Sequence, residues 1–370
     1  MNIGYDAKRL FNNKTGLGSY SRNLVNCLNE FCPSESYHLY TPSIKLPEYE
    51  SEFRNLNHVS IHKSTAFNKS VWRTYGISSD LRKDKIDIYH GLTHELPRNI
   101  KNANCAKVVT IHDLIFKRFP EYFPAFDRAI YNLKWKHSIN SADKIIAISN
   151  HTKVDIIKYY AVDPDKIEVI YNTCDPKFYN ANNKGTQNSL DLPENYMLSV
   201  GSIEPRKNFE AIIKALAQIP ESQRIDLVIV GGGKQKNRKK LLGLIHSLGL
   251  ENIVHLRSAI TNDQIVEVYQ RAKFLVYPSH YEGHGLPITE SLLCGTAVIS
   301  SETSSMKEAG GPDCIYIDPN SIDSISSAII TLLEDSELRK NISMKGQIYA
   351  SQTFDRQFIA NQTLNLYKNI

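Results

Sequence analysis

Short apolar runs rich in Val and Ile recur along this chain, separated by stretches of helical period. In the first half they are IDIYHGL (86–92), AKVVTIHDL (106–114), ADKIIAISN (142–150) and KIEVIYN (166–172). In the second half come NYMLSVGSI (195–203), IDLVIVGGG (225–233), NIVHLRS (252–258), AKFLVYPS (272–279) and TAVISS (296–301). Helical patterns such as Asn208–Leu216 and Asn262–Ala272 lie between them, and that alternation signals βα repeats and parallel sheets. The polar, turn-rich stretch Asn180–Pro193 reads as a linker between two similar halves. The expected architecture is α/β, two doubly wound domains facing a cleft, with ligands beyond the carboxyl ends of the strands.

At 370 residues the chain can build two domains, each with a full core. Its 41% hydrophobic and 22% charged residues are those of an ordinary globular protein. A net charge of +5 suits an anionic substrate or an anionic membrane surface, and no nucleic-acid partner is expected. The cysteines (Cys27, Cys32, Cys105, Cys174, Cys294 and Cys314) are scattered without a C-x-x-C pair. That points to structural thiols in a reducing compartment and away from zinc. The opening MNIGYDAKRL has no apolar signal region, and no segment is long and apolar enough to span a bilayer. A cytoplasmic protein is expected.

Residues 278–295 read PSHYEGHGLPITESLLCG. FLVYPS supplies a buried strand and Ser279–Gly285 a loop, while Pro287 suits a first helical turn and Gly295 a helix stop. The helix N-terminus therefore falls at His284–Leu286, where free N–H groups and the helix dipole favour an anion. The glycines at 283 and 285 let a phosphate approach the backbone closely. Glu290, about a turn further on, suits neutral hydroxyls such as a ribose diol. Glu282, ahead of the turn, is expected to point into the cleft. Singly, each glutamate reads as a solvated residue; with the Gly-x-Gly-x-Pro turn, the pair reads as a site.

Arg206 and Lys207 in VGSIEPRKN (200–208) follow a strand end and precede a helix. Two fixed cations there would stabilise a departing diphosphate, the alternative being a solvated basic pair. His112 in VVTIHDL ends a buried strand and is expected at the cleft mouth, unless it is a satisfied core histidine. TGLGSYSRNL (15–24) is a glycine turn opening a helix after a strand read in IGYDAKRL. It is no dinucleotide fingerprint, because Gly-x-Gly-x-x-Gly fails at Ser21. His90 in IDIYHGLTHELP reads equally as an acceptor-side loop residue or a plain strand end.

Over nearly its whole length the chain resembles the retaining, nucleotide-sugar-dependent glycosyltransferases of family 4 (glycosyl transferases group 1), bacterial mannosyltransferases in particular. Glu282–Glu290 looks like that family's paired-glutamate motif, and VGSIEPRKN is similar to its donor-phosphate segment. SADKIIAIS (141–149) and SSMKEAGG (304–311) resemble further family segments. KIEVIYNTCD (166–175) resembles the approach to the interdomain hinge, with Asn172-Thr173-Cys174-Asp175 where the family commonly has Asn-Gly-Val-Asp.

The resemblance implies a GT-B fold: an N-terminal acceptor-side domain over 1–185 and a nucleotide-sugar-binding domain over 186–352. A helix over 353–370, anchored by Phe358, Ile359, Leu366 and Tyr367, would cross back to the N-terminal domain. It implies catalytic roles for His112, Glu282, Arg206 and Lys207, with His112 contacting the donor sugar. Donor contacts fall to Gly16, Gly18, Gly201, His284, Gly285, Leu286 and Glu290, the last on the ribose. No metal or other cofactor is implied.

The implied activity moves a hexose from a nucleotide-diphosphate sugar to a glycan or lipid-linked oligosaccharide in surface-polysaccharide biosynthesis. The segment DAKRLFNNKTGLGSYSRNL (6–24) is most similar to mannosyltransferases, which favours GDP-mannose over a UDP-sugar. In relatives the base is read mainly by backbone near positions equivalent to the Arg257–Ile260 loop, which hides its identity. The segment His62–Lys85 carries Lys63, Lys69, Trp72, Arg73, Arg82 and Lys83 with Phe67 and Tyr75 interleaved. It reads either as a peripheral contact with anionic lipid on the inner face of the plasma membrane or as a solvated basic face. Three alternatives stand beside this activity. A GT-B epimerase needs acid/base carboxylates that the sequence does not identify. A nicotinamide dehydrogenase lacks its fingerprint here. A non-catalytic nucleotide-sugar-binding protein has no need of Glu282, His112, Arg206 and Lys207 together.

Overall fold

The computed structural model describes residues 1–181, 190–258, 260–261 and 264–370. Among them the chain divides into two compact units, Met1–Cys174 with Phe354–Ile370, and Asp175–Thr353.

In the first unit, β1 (Asn2–Asp6), β2 (Ser36–Thr41), β3 (Val59–Lys63), β4 (Ile88–Gly91), β5 (Ala106–Ile111), β6 (Lys144–Ala147) and β7 (Ile167–Val169) form one sheet. Their order is β3-β2-β1-β4-β5-β6-β7, and every pairing is parallel. The order reverses between β1 and β4, the point where crossovers diverge and leave room for a ligand. Val108, Val109, Ile111, Ile145 and Ile146 are buried, as strands covered on both faces must be. The strand read across IGYDAKRL stops at Asp6, whose carboxylate accepts the Lys8 N–H, and Lys8–Asn12 turns helical.

The helix Arg356–Lys368 belongs to this unit and packs along the helix Gly16–Phe31. Its buried Ile359, Ala360, Thr363, Leu364 and Tyr367 recur at three- and four-residue spacing, one stripe of a helix. Arg356 pairs with Glu30 at 2.7 Å, and the Cys27 thiol donates to the Arg356 carbonyl at 2.8 Å. Phe358, expected as an anchor, lies off that stripe and is 54% exposed.

The second unit repeats the plan. β8 (Tyr196–Val200), β9 (Asp226–Val230), β10 (Val254–Arg257), β11 (Phe274–Tyr277), β12 (Ala297–Ser301) and β13 (Ile315–Ile317) run parallel in the order β10-β9-β8-β11-β12-β13. The switch point here lies between β8 and β11. Leu227, Ile229, Val276 and Ile299 form the core with Ile212, Ile213 and Leu216 of the helix Phe209–Gln218.

The chain enters this unit earlier than the expected boundary at 185/186. Asp175 accepts the Lys177 N–H and caps the turn Pro176–Tyr179, whose Phe178 meets Tyr269 edge-on. Residues 182–189 of the expected linker lie outside the described residues. So do 259 of the Arg257–Ile260 loop and 262–263 at the start of the helix, observed over Gln264–Arg271. The six cysteines are buried. Among the described residues no helix is long and apolar enough to cross a membrane.

Candidate functional site

The switch point of the second sheet gathers most of the candidate residues. Gly201 follows β8 with φ +151°, and a Cβ there would stand 3.1 Å from Lys207 Cε, so the missing side chain makes room for the lysine stem. Arg206 and Lys207 lie in a 3-10 turn, Pro205–Lys207. Lys207 is only 9% exposed, which corrects its expected place as an open cleft cation. The cause is its partners: Nζ donates to Tyr277 Oη at 2.6 Å and to Glu282 Oε1 at 2.7 Å. Arg206 Nη1 stands 2.6 Å from the same oxygen and donates to the Tyr281 carbonyl at 2.7 Å. Ser279 Oγ donates to it as well, at 2.6 Å.

Glu282 is therefore a buried carboxylate gripped by two cations. Burial by itself would push its carboxyl up; Arg206 and then Lys207 outweigh that and hold it at about 2. Burial draws the Lys207 ammonium below its ordinary value, against the pull of Glu282.

Hydroxyls after β12 fix the backbone of the glutamate loop. Ser305 Oγ donates to the carbonyls of Glu282 (2.9 Å) and His284 (3.0 Å), and Ser304 Oγ accepts the Glu282 N–H at 3.0 Å. His284 is buried, and Gly285 caps the helix Leu286–Leu293 from the left-handed region at φ +105°. Leu286, Pro287 and Glu290 are half-buried while Ile288, Thr289 and Leu292 are buried, so Glu290 shares the outward face of the first turn. Tyr269 Oη donates to Glu290 Oε2 at 2.8 Å. Burial raises the Glu290 carboxyl to about 7, beyond what the Tyr269 bond and Lys177 take back. The two glutamates thus sit in opposite electrostatic settings: two cations hold one carboxyl down, and burial pushes the other up.

In the first unit His112 follows β5 and is 5% exposed, enclosed where a cleft-mouth position was expected. Its Nε2 donates to the Leu92 carbonyl at 2.8 Å, and Tyr20 meets its ring edge-on at 4.5 Å. Burial lowers its pKa to about 4, so the ring is neutral. Gly16 opens the helix Gly16–Phe31, with nothing within 4 Å of an added Cβ. Gly18 lies inside that helix, and a Cβ there would come within 1.9 Å of the Asn13 carbonyl oxygen. The close approach Gly18 serves is to the protein's own backbone.

His90 is a buried strand-end residue: Nδ1 meets Tyr367 Oη at 2.6 Å and Nε2 meets Thr110 Oγ1 at 2.8 Å, tying the last helix to the sheet. Arg73 drops out of the basic segment 62–85. It turns inward to the buried Asp6 carboxylate and to Glu95 Oε2 at 2.5 Å. Tyr277 and Ser279 stand beside Glu282 in the same sequence run, and their hydroxyls were legible there as neighbours. Tyr269, which donates to Glu290, has no local signal.

Two doubly wound parallel sheets, the second with paired glutamates and cations at its switch point, define a GT-B glycosyltransferase. The family model described as Glycosyl transferases group 1 matches residues 181–348, and that described as Glycosyltransferase Family 4 matches residues 15–178. O-antigen chain mannosyltransferase B of Escherichia coli is 28% identical over 374 residues, covering 96% of each chain. The Campylobacter jejuni N-acetylgalactosamine-N,N'-diacetylbacillosaminyl-diphospho-undecaprenol 4-alpha-N-acetylgalactosaminyltransferase is 30% identical over 226 residues, 60% of this chain and 59% of that one. Anabaena HepE, solved in complex with UDP and glucose, matches with a TM-score of 0.78 at 20% identity and covers 100% of both chains. The chain is a glycosyltransferase of GT-B fold.

Proposed function

We propose that this glycosyltransferase is a retaining enzyme that moves mannose from GDP-mannose to a glycan or lipid-linked oligosaccharide in surface-polysaccharide assembly. The observation that carries the reading is the Glu282 carboxylate, held ionised between Arg206 and Lys207 just ahead of the helix that starts at Leu286.

As the bond from the anomeric carbon to the diphosphate breaks, negative charge grows on the diphosphate and positive charge on the sugar. The free N–H groups at Leu286 and the trio of two cations and one carboxylate, net +1, face the first change without having to reorganise. Glu282, depleted of basicity by three donors, is a poor nucleophile and serves by its charge beside the sugar. The acceptor oxygen then bonds the anomeric carbon on the face the diphosphate leaves, and its proton passes to a diphosphate oxygen. Configuration is retained without a covalent intermediate on a carboxylate.

Glu290 takes the ribose diol, and the neutral His112 ring contacts the donor sugar. No step of this transfer passes through a metal. Mannose is supported by the Escherichia coli relative and by residues 6–24, and a lipid-linked acceptor by the name of the Campylobacter relative. Lys63, Lys69, Arg82 and Lys83, with the exposed Phe67 and Tyr75, would rest on anionic lipid at the cytoplasmic face.

The test is a thermal-shift panel of GDP-mannose, UDP-glucose and UDP-N-acetylgalactosamine, followed by proton NMR of donor hydrolysis. GDP-mannose should raise the melting point and release α-mannose first. A shift with UDP-sugars alone would overturn the donor, and β-mannose as the first product would overturn retention.

A further inference from the structure

The net charge of this chain is gathered in one place. There are 44 Lys and Arg against 39 Asp and Glu, an excess of five, and Lys234, Lys236, Arg238, Lys239 and Lys240 supply that number within one short run. With those set aside, the remaining 39 cations match the 39 acidic residues. No Asp or Glu occurs from Lys234 to Leu250. Lys234 caps the helix Gln235–Ser247, the others lie on its first two turns, and all but the half-buried Arg238 are exposed. Lys240 pairs with Glu210 at 2.7 Å, and the other four have no ion pair among the described residues. Cations at this end oppose the helix dipole and repel one another across a turn, so helix stability does not account for them.

The backbone ties this charge to the segment that carries Arg206 and Lys207. The Gly201 N–H donates to the Val230 carbonyl at 2.9 Å, and the Ile203 N–H to the Gly232 carbonyl at 2.7 Å. From the helix itself, Asn237 Nδ2 donates to the Ile203 carbonyl at 2.9 Å. Gly231 lies so close to the same segment that a Cβ would fall 1.8 Å from the Gly201 carbonyl oxygen. The loop after β9 and the first turn of the helix are therefore laid against residues 201–203, just ahead of the cations at the switch point of the second sheet.

We propose that this surface steers the anionic nucleotide sugar to its site, speeding its arrival without holding it once bound. The inference rests on the transferase reading above and adds to it how the donor gets there. The diphosphate of such a donor is ionised near neutral pH. Exposed cations of one sign beside a site raise the local concentration of such an anion and its on-rate. Their reach is set by the Debye length, about 10 Å at 0.1 M salt and about 30 Å at 0.01 M, so mobile lysine side chains need no fixed contact with it. An anionic membrane is the competing partner. The helix buries Leu241 and Ile245 and exposes only Leu242 and Leu248, six residues apart and on no common face, which gives lipid no apolar stripe to take.

The test combines Lys234→Gln, Lys236→Gln and Lys239→Gln in the full chain. A control variant carries Lys214→Gln, Lys340→Gln and Lys345→Gln, exposed lysines on other helices of the same unit, and loses the same charge. Association and dissociation rates of GDP-mannose and UDP-glucose are measured by surface plasmon resonance on immobilised protein, from about 20 to about 300 mM NaCl. The patch variant should associate roughly tenfold more slowly than wild type at low salt, converge with it at high salt, and dissociate at the wild-type rate. The control should keep the wild-type association rate.

This pattern with UDP-glucose alone would sink GDP-mannose as the donor and leave the steering surface standing. Equal association rates of wild type and patch variant at low salt would overturn steering and leave the donor reading intact. A change confined to dissociation would also overturn it, since the lysines would then be direct contacts. So would an unchanged association rate together with lost cosedimentation on phosphatidylglycerol vesicles, which would make the helix a membrane contact. Binding of neither nucleotide sugar would overturn both readings.

Discussion

Replacing Glu282 with glutamine keeps its shape and removes its charge, and the structure fixes what that should cost. The carboxyl is held at about 2 against an ordinary 4.5, a difference of about 2.5 pH units. At 1.36 kcal/mol per unit this is about 3 kcal/mol of stability tied to ionisation. The side chain is 11% exposed, so solvent screens little of it. Because the folded-state value is depressed, the contribution is complete above the unfolded value near 4.5 and is lost as pH falls toward 2. It should stand at about 3 kcal/mol at pH 7 and about 2 kcal/mol at pH 3.5.

Wild type and Glu282→Gln should therefore be compared by urea unfolding at both pH values. Far-UV circular dichroism is the suitable signal, with amide exchange in β8 and β11 as a check. Both tryptophans, Trp72 and Trp135, lie in the first unit, so their fluorescence would report the wrong half of the molecule. A difference below about 1 kcal/mol at pH 7, or one that does not shrink at pH 3.5, would refute the reasoning that the two cations outweigh burial.

Three further outcomes are expected. Lys207→Met keeps the stem and removes a charge that is half of the grip on Glu282, so turnover should fall by about two to three decades and the melting point should drop too; an unchanged rate would remove Lys207 from the chemistry. Glu290→Gln should raise the donor KM with less effect on kcat than Glu282→Gln has. Since the Glu290 carboxyl is raised to about 7, the stability of wild type relative to Glu290→Gln should fall as pH rises from 4.5 through 7, and a flat difference would contradict its burial. Tyr367→Phe orphans His90 Nδ1 and should cost the first unit about 1–2 kcal/mol, read as faster amide exchange in β4 with β11 unaffected.

Strands buried on both faces announced themselves in the sequence, as VVTI in β5 and LVIV in β9 do. SYHLYT and VSIHK did not, because β2 sets half-open polar Ser36 and His38 between buried positions and β3, at the sheet edge, has no buried residue. IYI in β13 is an edge strand of the second sheet and only three residues long. The glutamate loop, its helix start and the Arg206–Lys207 turn were legible because glycine and proline punctuate them. What no local pattern encodes is that the cations and Glu282 neutralise one another. That needs β8 and β11 to lie side by side, a fact of topology. The same holds for Tyr269 on Glu290. His90 is the reverse case: a polar strand end that might have served a ligand is consumed by Tyr367, which the chain supplies 277 residues later.

That late supply has a consequence for biogenesis. The second unit is one uninterrupted segment, Asp175–Thr353, whereas the first needs residues 354–370 to cover the apolar side of the helix Gly16–Phe31. On the ribosome the usual order, amino-terminal domain first, is therefore inverted. Residues 1–174 wait for the intervening segment to be made, roughly ten to forty seconds at about 5–20 residues per second. Through that interval Cys27 and Glu30 lack their Arg356 partner, and the helix Gly16–Phe31 lacks the helix that packs along it. Truncation near the carboxyl terminus should for the same reason damage the half of the molecule that was synthesised first.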